Sequence, residues 1–130
     1  MSDPVSQLIG LTLNRIEGCV PDSVEVIFYS ECGQHFCMYH EQSCCESVYL
    51  QDVEGDVADL IGTPIVVAET VSNAYQQALN LITPLPEMGG ECEQWTFYRL
   101  ATTKGWVVLR WYGDSNGYYS TDVDFERITN

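Results

Sequence analysis

Residues Gln94 to Tyr112, Gln-Trp-Thr-Phe-Tyr-Arg-Leu-Ala-Thr-Thr-Lys-Gly-Trp-Val-Val-Leu-Arg-Trp-Tyr, decide the fold class. Aromatic and β-branched residues are frequent in both halves of this stretch, and the Thr103-Lys104-Gly105 segment between them is typical of a tight hairpin turn. A third such run, Tyr118 to Glu126, follows the turn-forming residues 113–117. We therefore predict that the last three strands form a contiguous antiparallel meander.

Upstream stretches of apolar and β-branched residues, separated by turn signals, predict further strands. They are Leu11–Val20, Ser23–Ser30, Gln34–His40, Glu46–Asp52 and Thr63–Thr70. A short helix is predicted between the last two, because Asp56 can cap its start and Gly62 can end it. Residues 72–81 favour a second helix, and residues 83–91, which are rich in Pro and Gly, favour a mobile loop.

The length and composition of the chain determine how these elements can be assembled. With 130 residues, 45% of them hydrophobic, the chain is long enough for one domain with a real core and too short for two. We therefore predict a single domain over residues 1–130. Its fold class is mainly β (α+β), with a bent antiparallel sheet or partial barrel that carries one or two short helices.

The charge of the chain restricts its partners. Nineteen acidic residues against five basic ones give a net charge of −14. Such a field disfavours direct binding of nucleic acids and anionic membranes, and it favours association with a protein that has a basic surface. The alternative is that the acidity serves solubility alone.

A cluster of four carboxylates gives this charge a candidate location. Asp52, Glu54, Asp56 and Asp59 lie within eight residues of one another, and we predict them as contacts to a basic partner. The alternative interpretation is a solvated loop and helix face, which is at least as common for such clusters.

Residues 37–46 crowd thiols and an imidazole together and predict a metal site. Thiolate and neutral imidazole are the usual ligands of zinc, and a structural site needs four of them. We predict structural zinc bound by His40, Cys44 and Cys45, with Cys37 as the preferred fourth ligand and His35 in reserve. The adjacent cysteines depart from the standard ligand spacing, so reduced, half-buried thiols are the alternative.

The N-terminal residues suggest a compartment. Met-Ser-Asp-Pro-Val carries no basic region followed by an apolar run, so we expect no export and a cytoplasmic location. Thiols in a cytoplasm stay reduced, which favours metal binding over disulfides for the six cysteines. No apolar stretch in the sequence reaches the roughly 18 residues needed to span a membrane.

Catalytic motifs are missing from the sequence. It contains no Gly-rich phosphate loop, no Gly-x-Ser-x-Gly elbow and no His-Glu-x-x-His pair. His35 and His40 are too close in sequence to the cysteines for the usual geometry of a Cys-His catalytic pair. We therefore predict that the protein is not an enzyme.

Three segments together resemble a family of small phage and prophage proteins. They are Met38–Val48, with its Tyr-His-x-x-x-Cys-Cys-Glu motif, Asp59–Ile65, and Trp111–Ser120. Small acidic zinc-containing proteins of this kind are also similar to type II-A anti-CRISPR inhibitors, which bind Cas9 and block DNA loading. The resemblance implies a phage-encoded inhibitor in the cytoplasm of a bacterial host, with Cas9 as the expected target. A phage protein that sequesters a nucleotide immune signal and a small metal-dependent enzyme are the alternatives.

Overall fold

The computed structural model describes residues 4–42, 45–71, 92–115 and 122–128. Within these residues the chain forms eight β-strands and two short 3-10 helices. In chain order they are η1 (Pro4–Leu8), β1 (Leu13–Glu17), β2 (Glu25–Ser30), β3 (His35–Tyr39), β4 (Ser47–Glu54), η2 (Val57–Leu60), β5 (Val67–Val71), β6 (Cys92–Thr102), β7 (Gly105–Ser115) and β8 (Asp124–Ile128).

The strands are divided between two antiparallel sheets of four strands each. The first sheet has the order β1-β2-β3-β8, and the second has the order β4-β7-β6-β5. The prediction of a mainly β fold with short helices is therefore confirmed. Among the described residues, no helix is long and apolar enough to cross a membrane.

The core lies between the two sheets. Phe28, Phe36 and Met38 point inward from the first sheet and are at most 1% exposed. Leu109 and Trp111 enter the same core from the second sheet, and the Trp111 indole Nε1 lies 3.1 Å from the Met38 sulfur. The inward residues alternate along their strands with outward ones, which is the pattern expected when one side of each sheet packs against the other.

The hairpin predicted at Thr103-Lys104-Gly105 is confirmed. Strands β6 and β7 pair along their whole length, from Thr102 opposite Gly105 to Cys92 opposite Ser115. The Lys104 amide donates to the Thr102 hydroxyl at 3.1 Å, which stabilises the turn through a side chain.

The predicted meander of the last three strands is wrong. Strand β8 leaves the second sheet and pairs with β3 of the first, with Phe36 opposite Arg127 and Met38 opposite Phe125. The aromatic ring of Phe125 stacks on Phe36 at a centroid distance of 5.4 Å and lies 6.1 Å from that of Phe28. Packing of this partly buried ring against two aromatics of the first sheet favours the crossing over a third strand beside β7.

The predicted helix after β4 is present as one 3-10 turn. The Asp56 carboxylate caps it by accepting a hydrogen bond from the Ala58 amide at 3.0 Å, as the sequence indicated. Gly55 permits the preceding turn, because its φ is +100° and a Cβ there would collide with the Trp106 carbonyl oxygen. The predicted second helix (residues 72–81) and loop (residues 83–91) lie outside the described residues.

Strand β5 is shorter than the predicted run Thr63–Thr70. It begins at Val67, while Ile65 forms an isolated parallel bridge with Ile9 and is 1% exposed. Ile65 is therefore buried against the segment after η1 instead of lengthening the sheet, whereas Val66 is 51% exposed.

Candidate functional site

The outward side of the first sheet carries a surface that we call the acidic face. Because successive residues of a strand point to opposite sides, the residues that alternate with the core positions all share this side. Cross-strand pairing arranges them in three rows, which are Glu25-Tyr39-Asp124, Glu17-Ile27-Cys37-Glu126 and Arg15-Tyr29-His35-Ile128.

Carboxylates outnumber basic groups on the acidic face. Its four carboxylates come from strands β1, β2 and β8, and Arg15 is the one Lys or Arg whose register places it on this side. Arg15 already pairs with Glu17, with 3.0 Å between Nη2 and Oε1. None of the described Lys or Arg side chains forms an ion pair with the other three carboxylates, those of Glu25, Asp124 and Glu126.

The Cys37 thiol, in the middle row, responds to this negative field. Burial is the main cause that raises its pKa to about 12, and the charge of Glu25, a hydrogen bond to Glu25 and the charge of Glu126 raise it further. A thiol with such a pKa stays protonated at neutral pH and is a poor nucleophile.

Tyr29 and Tyr39 are two half-buried rings at different ends of the acidic face. The Tyr29 hydroxyl donates to Glu17 Oε1 at 2.6 Å, and the Arg15 guanidinium carbon lies 5.3 Å from the centre of its ring. The pKa of Tyr39 is raised by partial burial, by its hydrogen bond to Glu126 and by the negative charges of Glu126, Asp124 and Glu41. Both tyrosine hydroxyls therefore lie in the negative field of a carboxylate from a neighbouring strand.

A buried ion pair joins the two sheets beside the acidic face. His40 Nε2 lies 2.7 Å from Glu46 Oε2, and the two side chains are 5% and 0% exposed. His40 Nδ1 lies 2.7 Å from the Asp122 carbonyl oxygen, which can only accept, so Nδ1 carries a proton. Gln42 Nε2 donates to the Glu46 backbone oxygen at 2.6 Å, beside the pair.

These contacts set the charge of His40. Burial alone would lower the pKa of its imidazole, but the bonds to Asp122 and Glu46 and the charges of Glu46 and Asp124 raise it above its ordinary value. The imidazole thus links the end of β3 to the residues just before β8 and just before β4. The sequence suggested His40 as a metal ligand, and it did not identify Glu46 as its partner.

The structure places the predicted zinc ligands as follows. Cys37 points outward from β3 towards Glu25, and both ring nitrogens of His40 contact protein oxygen atoms. Cys45 is disulfide-bonded, so the expectation of uniformly reduced thiols is wrong at this position. Cys44 lies outside the described residues. His35, the reserve ligand, is on the acidic face with its ring 4.8 Å from that of Tyr29.

Zinc binding stays a prediction. No group of three or more metal-ligating side chains comes together within the described parts of the chain. Binding through the predicted ligands requires reduction of Cys45 and release of His40 Nε2 from Glu46, because neither a disulfide sulfur nor a protonated ring nitrogen ligates zinc.

The four predicted contact residues lie within β4 and just after it, and they have different structural roles. Asp52 points outward from the second sheet and lies 3.9 Å from Arg110 Nη2. Glu54 is exposed at the end of β4, whereas Asp56 caps η2. Asp59 lies in η2, where its carboxylate would contact a side chain placed at Gly105. Only part of this cluster is therefore free of a local structural task.

The outward side of the second sheet, which we call the mixed face, differs from the acidic face. Arg99 pairs with Glu69 at 3.1 Å, and its guanidinium carbon lies 5.3 Å from the centre of the Trp106 ring. Further along the sheet, an aromatic ladder crosses three strands. Tyr49 and Tyr112 are 5.7 Å apart, Tyr112 and Trp95 are 5.1 Å apart, and the last two are buried.

The carboxylates of the acidic face come from distant parts of the sequence, which is why sequence reasoning missed them. Alternation in Glu25–Ser30 and His35–Tyr39 indicates which residues share a side of each strand. No local signal indicates that Asp124 and Glu126 lie beside Tyr39, since this follows from the pairing of β8 with β3.

Comparison with known proteins identifies a family. The family model of a domain of unknown function, DUF7448, matches residues 6–125, so the chain belongs to this family. Neither a curated protein nor a solved structure matches the chain.

Proposed function

We propose that this member of the DUF7448 family is a non-enzymatic binding protein whose acidic face docks on a basic surface of another protein. The observation that carries the proposal is the convergence of Glu25, Asp124 and Glu126 around the outward ring of Tyr39. All five Lys and Arg residues of the chain lie among the described residues, and none pairs with these three carboxylates. A cationic partner would neutralise them, and their field would speed its approach.

The composition of the face supports a protein partner. Two tyrosines and Ile27 lie among its carboxylates, and aromatic side chains surrounded by polar groups are typical of binding hot spots. Nucleic acids and phosphorylated small molecules would be repelled by the same carboxylates and by the net charge of −14. The proposal therefore concerns a basic protein surface.

Nucleic-acid-binding channels are large basic surfaces, and a protein that occupies one excludes the phosphate backbone from it. The resemblance of Met38–Val48, Asp59–Ile65 and Trp111–Ser120 to phage proteins makes a host nuclease the first target to test, and Cas9 the first member of that class. Inhibition would then follow from competition with DNA for the same channel.

The test compares two charge reversals of equal size. Glu25→Lys with Glu126→Lys changes the acidic face, and Asp52→Lys with Glu54→Lys changes the cluster that the sequence suggested. Binding to guide-loaded Cas9 and inhibition of DNA cleavage are measured for both across a salt series, after a thermal melt shows that each variant is folded. We expect the first pair to lower affinity about tenfold or more and the second to leave it nearly unchanged.

Three outcomes would count against the proposal. Weakening by the Asp52 and Glu54 pair alone would place the contact at the end of β4 instead. Salt-insensitive binding would remove the electrostatic argument, since exposed charges are screened over about 8 Å at physiological salt. If Cas9 is not bound, the same variants are used to capture proteins from bacterial lysate. Capture that is insensitive to the Glu25 and Glu126 reversal would then contradict the acidic face as the contact.

A further inference from the structure

We infer that the acidic face recognises arginine side chains in particular, with Tyr39 as the ring on which one guanidinium of the partner stacks. This inference rests on the proposed function, because it names the chemistry that the same face binds. The expected partner is therefore a protein surface that presents arginine side chains.

The chain itself contains an example of the contact. On the acidic face, Arg15 lies over the ring of Tyr29 with its guanidinium carbon 5.3 Å from the ring centre. The same guanidinium pairs with Glu17 at 3.0 Å, and Glu17 also accepts the Tyr29 hydroxyl at 2.6 Å. One ring and one carboxylate, held together by the tyrosine hydroxyl, thus bind one guanidinium.

Tyr39 has the same combination of an aromatic ring and nearby carboxylates as Tyr29. Besides partial burial, Glu126 from the neighbouring strand raises the pKa of the Tyr39 hydroxyl, as Glu17 raises that of the Tyr29 hydroxyl. Glu25 and Asp124 are its direct cross-strand neighbours on either side, so more negative charge surrounds Tyr39 than Tyr29. No guanidinium or ammonium of the described chain lies over this ring. Charge complementarity therefore assigns a cation from another protein to this position.

The geometry favours arginine over lysine. A planar guanidinium can stack on a ring and at the same time donate in-plane hydrogen bonds to carboxylates at the ring edge. An ammonium group has no plane to stack and is more strongly hydrated, so it gains less from the ring. Glu25 and Asp124 on opposite sides of Tyr39 can accept from the two edges of a stacked guanidinium.

The experiment uses the full chain and three synthetic peptides of equal length. The peptides alternate glycine with arginine, with lysine, or with citrulline, which keeps the planar shape of arginine without its charge. Affinities are measured by calorimetric titration at low salt for the wild type, Tyr39→Leu, Tyr39→Phe and Trp106→Leu. Trp106 is the matched control, because it is an aromatic residue 51% exposed on the mixed face.

We expect the arginine peptide to bind about two- to fivefold more tightly than the lysine peptide, and the citrulline peptide not to bind measurably. Tyr39→Leu should remove most of the difference between arginine and lysine, whereas Tyr39→Phe should keep it because the ring remains. Trp106→Leu should keep the wild-type affinities.

The outcomes separate this inference from the proposed function. If the Glu25 and Glu126 charge reversal abolishes binding of both cationic peptides while Tyr39→Leu has no effect, the acidic face stands and arginine recognition by Tyr39 is refuted. Equal binding of the arginine and lysine peptides to the wild type refutes it as well. If the charge reversal leaves peptide binding unchanged, the proposed function is itself contradicted.

Discussion

The acidic face and the mixed face are built on sheets of four strands each, but they differ in whether their carboxylates are paired with arginine. On the mixed face, Arg99 and Arg110 each lie beside a carboxylate of a neighbouring strand, and Trp106 supports one of the two guanidinium groups. On the acidic face, Glu25, Asp124 and Glu126 converge on one tyrosine without such a partner. A surface that neutralises its own charges gains little from a basic partner. A surface whose negative charges stay unpaired gains more.

The largest effect is expected in the chain segment between β3 and β4, which connects the two sheets. Protein kept reduced and purified without added metal is expected to carry about one zinc per chain, and chelation should then cost several kcal/mol of folding free energy. Oxidised protein should carry none, because Cys45 is then in a disulfide. Elemental analysis of both forms measures this. A reduced protein without stoichiometric zinc contradicts the ligand set His40, Cys44, Cys45 and Cys37.

The same connection depends on the buried ion pair. In metal-free protein, His40→Ala is expected to lower the free energy of unfolding by about 3–5 kcal/mol, because the Glu46 carboxylate is left buried without its cation. Denaturant titration measures the loss, and His35→Ala is the control on the same strand. If both variants lose the same amount, the pair does not hold the sheets together.

The packing of β8 on the first sheet should contribute more to stability than an exposed ring of the mixed face. Phe125→Ala is expected to cost about 2–4 kcal/mol, because it removes the ring that stacks on Phe36 and contacts Phe28 from the first sheet. Trp106→Ala removes a ring that is half exposed on the mixed face, so its cost should stay within about 1 kcal/mol. Denaturant titrations that give the two variants the same cost would contradict the packing of β8 against the first sheet.

The field of the acidic face should be visible in thiol chemistry. Burial and two nearby carboxylates raise the pKa of Cys37 to about 12, whereas bonds from the Ser30 hydroxyl and the Gln34 backbone lower the pKa of the exposed Cys32. At mildly alkaline pH, iodoacetamide should therefore modify Cys32 at least about tenfold faster, since the thiolate is the reacting species. Peptide mass spectrometry measures both rates. Glu25→Gln should speed the reaction of Cys37, and equal rates in the wild type would contradict the assigned field.

The smallest effect is expected from the ion pairs of the mixed face. Their side chains are between 25% and 47% exposed, and such pairs contribute about 0–1 kcal/mol each. Arg99→Gln and Arg110→Gln should therefore lower stability little, while they leave Glu69 and Asp52 without cations. Thermal melts measure the stability. A loss of more than about 2 kcal/mol would show that these pairs hold the second sheet together and do not merely neutralise its surface.

Local signals predicted the local parts of the fold. Thr103-Lys104-Gly105 indicated the β6–β7 hairpin, and Asp56 indicated the start of η2, because in each case the interacting groups are close in sequence. The pairing of β8 with β3 joins residues that are far apart in sequence, such as Tyr39 and Asp124, which are 85 positions apart, and no turn signal encodes it. The same contrast between local and long-range contacts applies to the candidate site. His40 was recognised as important, but its contacts to Glu46 and Asp122 depend on how the two sheets meet.

The position of β8 in the chain determines when the acidic face is completed during synthesis. Translation delivers β1, β2 and β3 first, yet Asp124 and Glu126 reach Tyr39 only after β4 to β7 have also left the ribosome. A nascent chain that ends before β8 holds Glu17 and Glu25 but lacks two of the four carboxylates that form the acidic face. Under the proposed function, truncated products of translation or proteolysis that lack β8 would therefore bind a basic partner more weakly than the finished protein.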